Sequence, residues 1–292
     1  MRSQLSLGIV GCAVALAVAG CAGKPPLPKY ASVETAARTS SSENFAALVP
    51  EADVVYFPVE SASHGGRSDP AAQLLAALQQ TGAPIAIAWD IIDVSQQPLL
   101  DQLAGAQGGA RESLIAQLNL EGTGRAREYC RSVLRAAQPP ALRHLAIAAP
   151  PALSEKVRSG EMLSVDEQAQ VPRGFRAPPG ELERFTDRLG AARAATADVT
   201  GLYRAHLFAE QFAAQRIAAH FQSGAGGKLL VFLRASDLQP GRGVPYFVPQ
   251  KVQLRQLVFG SDRGAAAKLL TLERRSGRAF EIVDRAPVAS RE

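Results

Sequence analysis

Across 292 residues, 32 Lys and Arg stand against 27 Asp and Glu, a formal net charge of +5 at pH 7. The basic side chains are scattered (Arg125, Arg127, Arg131, Arg135, Arg184, Arg188) instead of being interleaved with aromatic residues, which argues against nucleic acid as a partner. With 47% apolar residues the chain can bury a substantial core, and its length beyond the leader suits one large domain.

The chain opens on a targeting pattern. Met1 and Arg2 supply a short positive region, residues 5–19 are apolar but too few to span a bilayer with flanks, and Val18-Ala19-Gly20-Cys21 is a small-residue cleavage box ending in cysteine. This pattern predicts a bacterial lipoprotein signal over residues 1–20, cut before Cys21, whose thiol then carries diacylglycerol and anchors the protein to the membrane by lipid. Ala22 stands where an Asp would favour inner-membrane retention, so the expected address is the outer membrane, facing the periplasm. Residues 21–42 comprise the lipidated cysteine and a tether with Lys24-Pro25-Pro26-Leu27-Pro28-Lys29 and a Ser/Thr/Ala stretch, which has little apolar surface to bury. Residues 43–292 form the single folded domain. Cys12 leaves with the signal and Cys130 remains alone, so neither an intramolecular disulfide nor a paired-cysteine metal site is expected.

Within the domain, short apolar runs alternate with helical stretches. Residues 52–57 read as a buried strand, and residues 70–80 as a helix with Asp69 at its cap, Pro70 at its first position and Gly82 closing it. A second buried strand is predicted at 85–89, helices at 97–104, 110–118 and 125–137, and a third strand at 142–148 after Pro139-Pro140. Helices at 151–159, 180–189 and 199–222 precede a fourth strand at 228–233, with later strands at 252–259 and 279–283. Strands separated by helices imply crossovers and a mainly parallel sheet sandwiched by helices, the α/β class. In such a sheet ligands sit beyond the carboxyl ends of the strands.

Those strand ends hold the candidate chemistry. Glu60 and His64 lie in a glycine-containing loop after the first strand, where carboxylate and imidazole suit either metal ligation or acid–base work. Asp90 ends the second strand and Asp237 follows the fourth; each has capping as its commoner duty and general base as the alternative. Tyr203, His206 and Glu210 share one helical face, where Tyr and His are competent haem-iron ligands but also ordinary packing residues; Tyr129 sits with Val133 on another apolar face. No GxGxxG, GxxxxGK[ST] or GxSxG pattern occurs, which disfavours nucleotide chemistry and serine hydrolysis.

The order of these segments resembles the ChaN-like haem-binding lipoproteins of the Tiki/EreA-like superfamily. The resemblance runs from Phe45 to Pro245 and rests on Ala52-Asp53-Val54-Val55-Tyr56, Gln73 to Leu78, Ile85 to Asp90, Gln96 to Asp101, Glu128-Tyr129-Cys130-Arg131, Leu145 to Pro150 and Gly243-Val244-Pro245. It implies haem bound at a homodimer interface through a tyrosine, with Tyr129 as axial ligand, His64 as a propionate or iron contact and Arg67 compensating propionate charge. The chain departs from the family where Gly-Glu-x-His becomes Ser61-Ala62-Ser63-His64, where Gly-x-Glu becomes Ala88-Trp89-Asp90, where an Asn becomes Ala148, and where Gly-x-His becomes Ala235-Ser236-Asp237. A hydrolase needs its Glu and His groups together to activate water, so the resemblance implies a divergent, non-catalytic, ligand-binding lipoprotein of haem and iron uptake. Two alternatives stand beside it: a metal-dependent hydrolase using Glu60, His64, Asp90 and Asp237, and an envelope scaffold with a decayed site.

Overall fold

In the computed structural model the described residues are 49–59, 70–137, 142–172, 180–195, 197–224, 226–238, 243–249, 252, 254–261, 267–275 and 279–285. Seven strands form one sheet: β1 (Val54–Pro58), β2 (Ile85–Asp93), β3 (Leu142–Ala148), β4 (Lys228–Leu233), β5 (Gln256–Ser261), β6 (Ala267–Arg275) and β7 (Ala279–Arg285). Their spatial order is β3-β2-β4-β1-β5-β6-β7. β1 to β5 are mutually parallel, whereas β6 and β7 continue the sheet antiparallel from β5. The expected α/β class with a mainly parallel sheet is thus what the chain adopts. The segment at 267–275, not expected from the sequence, is a strand, and β5 begins four residues later than residue 252.

Topology decides which helices cover which face. The chain steps from β1 past the place of β4 to β2 and on to β3, using α1 (Pro70–Gln79), α2 (Gln97–Leu103), α3 (Gly108–Gln117) and α4 (Gly124–Ala136). It then reverses direction to reach β4 through α5 (Pro151–Ser159), α6 (Val165–Gln170), α7 (Glu181–Leu189), α8 (Ala191–Ala194) and α9 (Val199–Gln222). Right-handed crossovers taken in opposite directions place their helices on opposite faces. A short helix, α10 (Val244–Phe247), lies between β4 and β5.

Side-chain alternation along the strands separates two cores accordingly. Val55 and Phe57 of β1, Ile87 and Trp89 of β2, and Leu230 and Phe232 of β4 pack with Leu74, Leu78, Cys130 and Leu134 from α1 and α4. Val54 and Tyr56, Ala86 and Ala88, and Val231 and Leu233 face Ala213, Ala214, Ile217 and Ala218 of α9. The alanines on both sides let that helix approach closely. Each large apolar side chain buried in this way contributes roughly 1.5–3 kcal/mol. β1 and β2 are buried along their whole lengths because helices cover both faces, which is why they read as continuous apolar runs. Among the described residues no helix is long and apolar enough to cross a membrane.

Three polar side chains of this interior are paired in ways that tie elements together. The Tyr56 hydroxyl donates to Gln256 Oε1 at 2.5 Å and Gln256 Nε2 donates to the Pro245 carbonyl at 3.1 Å, tying β1, β5 and α10 together. The Trp89 indole N–H donates to His144 Nδ1 at 3.2 Å, while its ring stacks on Phe232 with centroids 4.7 Å apart. Buried Arg111 donates to the carbonyls of Leu103, Leu134 and Ala137 at 2.8, 2.6 and 2.7 Å, closing the ends of α2 and α4 with one guanidinium.

Candidate functional site

The carboxyl ends of β2 and β4 are neighbours, and each carries an acid. Along β2 the pairing to β3 passes from Trp89↔Ala146 to Asp93↔Ala148, so extra residues are accommodated in a bulge that contains Asp90. Asp93 takes the capping role, accepting the Ser95 amide at 2.9 Å, which leaves the Asp90 carboxylate out of any cap. Beyond β4, the chain turns through a 3-10 helix at Ala235–Asp237, closed by the Asp237 amide on the Arg234 carbonyl at 2.9 Å. Gly243 lies against that turn at φ +87°; a Cβ there would come within 2.1 Å of the Asp237 carbonyl oxygen, so only glycine fits.

Arg234 joins the two acids. Its Nε lies 2.8 Å from Asp237 Oδ2 and 3.5 Å from Asp90 Oδ2. The other Asp237 oxygen accepts from Ser236 Oγ at 3.0 Å and lies 3.8 Å from His206 Nδ1. The opposite imidazole nitrogen, Nε2, is 3.3 Å from Glu210 Oε1, a contact set by the i, i+4 spacing on α9. Phe185 of α7 packs on the His206 ring with centroids 5.4 Å apart and on Tyr203 at the same distance. Asp90, Glu210 and Asp237 are buried, whereas His206 is partly exposed. A cavity of about 340 Å³ opens above, walled by Asp90, Glu121, Ser154, Arg158, His206 and Arg234.

The electrostatics follow from burying several acids beside one guanidinium. Burial pushes the Asp90 carboxyl well above the ordinary carboxylate range; Arg234 opposes this and Asp237 reinforces it. Glu210 is raised by burial and then by Asp237, with Arg188 pulling it down. Glu121 is raised by burial against Arg234. Arg234 itself is held firmly protonated, above all by Asp90.

The remaining sequence candidates fall elsewhere. Tyr129 is half-buried on α4, its ring 6.5 Å from Phe57 and 6.2 Å from Phe232, on the sheet face opposite α9. Beside it, between α1 and α4, lies a second cavity of about 500 Å³ walled by Ala71, Leu75, Val133, Ala136, Leu142 and Phe232. Small residues on both helices leave this space, and Phe232 belongs both to its wall and to the aromatic shelf under Tyr129. Glu60, His64 and Arg67 lie outside the described residues. The structure therefore brings Asp90, Asp237 and His206 together, seats Tyr203 beside them against Phe185, and places Tyr129 apart. Glu121 and the joining role of Arg234 were not expected; the sequence signals for the cluster were the shared helical face of His206 and Glu210 and the strand-end positions of Asp90 and Asp237.

The described residues form an α/β sandwich with a polar cleft at the strand ends and a largely apolar cleft between α1 and the tyrosine-bearing helix α4. Residues 45–248 match the sequence profile of the family described as "Haem-binding uptake, Tiki superfamily, ChaN", and the chain belongs to that family. No curated protein matches it. Among solved structures it is similar to "Cofacial heme binding to ChaN of Campylobacter jejuni", with 12% identity over 82% of this chain and 91% of that one and a TM-score of 0.57. It is more distantly similar to an erythromycin esterase EreC mutant, at 15% identity and a TM-score of 0.40 over 84% of this chain and 78% of that one.

Proposed function

We propose that this protein binds haem as a lipid-anchored, non-catalytic component of haem and iron uptake. Family membership over residues 45–248 supports the ligand class. The observation that carries the reading is the placement of Tyr129: a half-buried phenol on the Phe57–Phe232 shelf, next to an apolar cleft whose volume lies in the range of small-molecule sites. Tyr129 would hold the group, since a phenolate is a hard oxygen donor suited to ferric iron, and the alanine-walled cleft would exclude water from its apolar edge. His64 and Arg67 would supply the imidazole and guanidinium that offset buried propionate charge. Two copies would enclose the haem between them as a homodimer, in keeping with the cofacial haem binding reported for ChaN of Campylobacter jejuni.

The non-catalytic part of the reading is supported by Arg234. Its Nε lies 3.5 Å from Asp90 and 2.8 Å from Asp237, so both strand-end acids are paired with a guanidinium.

Ferric hemin titrated into the purified protein is expected to give a Soret shift with the charge-transfer band of tyrosinate ligation, both lost in Tyr129→Phe. A spectrum indistinguishable from hemin with an unrelated protein overturns haem binding, and a shift that survives Tyr129→Phe overturns the ligand assignment. For the anchor, Cys21→Ser is expected to abolish detergent partitioning of a processed, acylated species; persistence of that species refutes it.

A further inference from the structure

Around the ends of β2 and β4 the acids Asp90, Glu121, Glu210 and Asp237 face Arg234 and His206, with Glu181 and Arg188 acting on Glu210 from α7. Buried acids in excess of buried cations are costly unless protons or a cation restore the balance. Three features show which is built for. His206, Glu210 and Asp237 each offer one ligand atom, and these atoms lie within 4.8 Å of one another, the sole such group among the described residues. Their donors are already oriented: Arg234 and Ser236 fix the Asp237 carboxylate and Phe185 packs on the imidazole, the kind of outer support that metal ligands receive. Finally, Asp90 Oδ2 is buried with no hydrogen-bond partner, 3.5 Å from Arg234, in the wall of the cavity that also exposes His206.

We propose that His206, Glu210 and Asp237 bind a divalent first-row metal ion, reached through the cavity above them. One imidazole with two carboxylates suits Zn2+, Co2+, Mn2+ or Fe2+ better than it suits Ca2+ or Mg2+, which favour all-oxygen shells. The ion would bind through one imidazole nitrogen, one Glu210 oxygen and the Asp237 oxygen that Arg234 does not hold. Asp90 is close enough to stabilise its charge. The site clamps α9 to the turn after β4, on the far side of the sheet from Tyr129, so it does not depend on haem.

The test uses the full-length protein in detergent, haem-free and stripped with chelator, titrated with Co2+. One equivalent per chain is expected to bind, with visible d–d bands distinct from those of aqueous Co2+. His206→Gln and Glu210→Gln are expected to weaken binding at least ~tenfold, whereas Tyr129→Phe leaves it unchanged. In the wild type, Co2+ is also expected to protect His206 from diethylpyrocarbonate, read by peptide mass, a readout that needs no variant to fold. Absence of saturable binding, undiminished affinity in both glutamine variants, or modification of His206 unaffected by Co2+ overturns the proposal.

Discussion

His144 offers a quantitative test of how the core is wired. It is 2% exposed, and its Nδ1 accepts the indole N–H of Trp89, so that nitrogen must be unprotonated in the folded protein. Burial lowers its pKa from 6.5 to about 4, and Arg111 adds to the effect. The imidazole titrates at 6.5 when unfolded and near 4 when folded, so the folded state binds fewer protons between those values. Its contribution is complete above pH 6.5 and is lost as pH falls through 4. The difference corresponds to about 3 kcal/mol. His144→Gln keeps an acceptor for Trp89 but cannot titrate. Urea unfolding followed by fluorescence of the single tryptophan, at about pH 7.5 and about pH 4.5, should therefore show the wild type losing more stability on acidification than the variant, approaching ~3 kcal/mol. Asp90 and Glu210 titrate in both proteins, so their contribution cancels in the comparison. Parallel loss in wild type and variant would refute the reasoning.

Two further outcomes use the same unfolding assay. Arg111→Met fills the space of the side chain but orphans three carbonyls at helix ends, so a loss of about 3–5 kcal/mol and a melting temperature lower by ~10 °C are expected; a change below about 1 kcal/mol would show that solvent replaces those bonds. Asp90→Asn removes an acid whose raised folded pKa favours the protonated form: that contribution is present below the unfolded carboxylate value and lost as pH rises through the folded one. The variant should gain on the wild type as pH rises through that window, by up to ~1.4 kcal/mol per pH unit, and a difference independent of pH would contradict the assignment.

The sequence made the parallel strands legible because burial on both faces leaves a run such as Val54–Pro58 with no polar position to confuse it. β6 escaped because Lys268, Glu273, Arg274 and Arg275 interrupt its apolar pattern. In the cluster, His206 and Glu210 were readable as one helical face, since four residues make one turn. Asp90 and Asp237 were readable only as strand ends. What joins them is the adjacency of β2 and β4, a pairing between segments well over a hundred residues apart that no local pattern encodes. The same holds for Tyr129, whose neighbour Phe232 arrives from the other half of the chain. Asp93, and not Asp90, caps the turn after β2, because the strand runs on past Trp89 to Asp93.

The position of β4 between β1 and β2 has a consequence for assembly. β1 and β2 never touch through hydrogen bonds, so a chain emerging from its amino end can pair β2 only with β3 until residues 228–233 have arrived. Closing the sheet then requires contacts distant in sequence, a slow step by topology alone. The strand that closes it also leads into Arg234 and Asp237, and its Phe232 forms the floor beneath Tyr129. Completion of the sheet and assembly of both clefts are therefore one event, and a chain truncated before Lys228 would keep helices for both faces with no central strand to unite them.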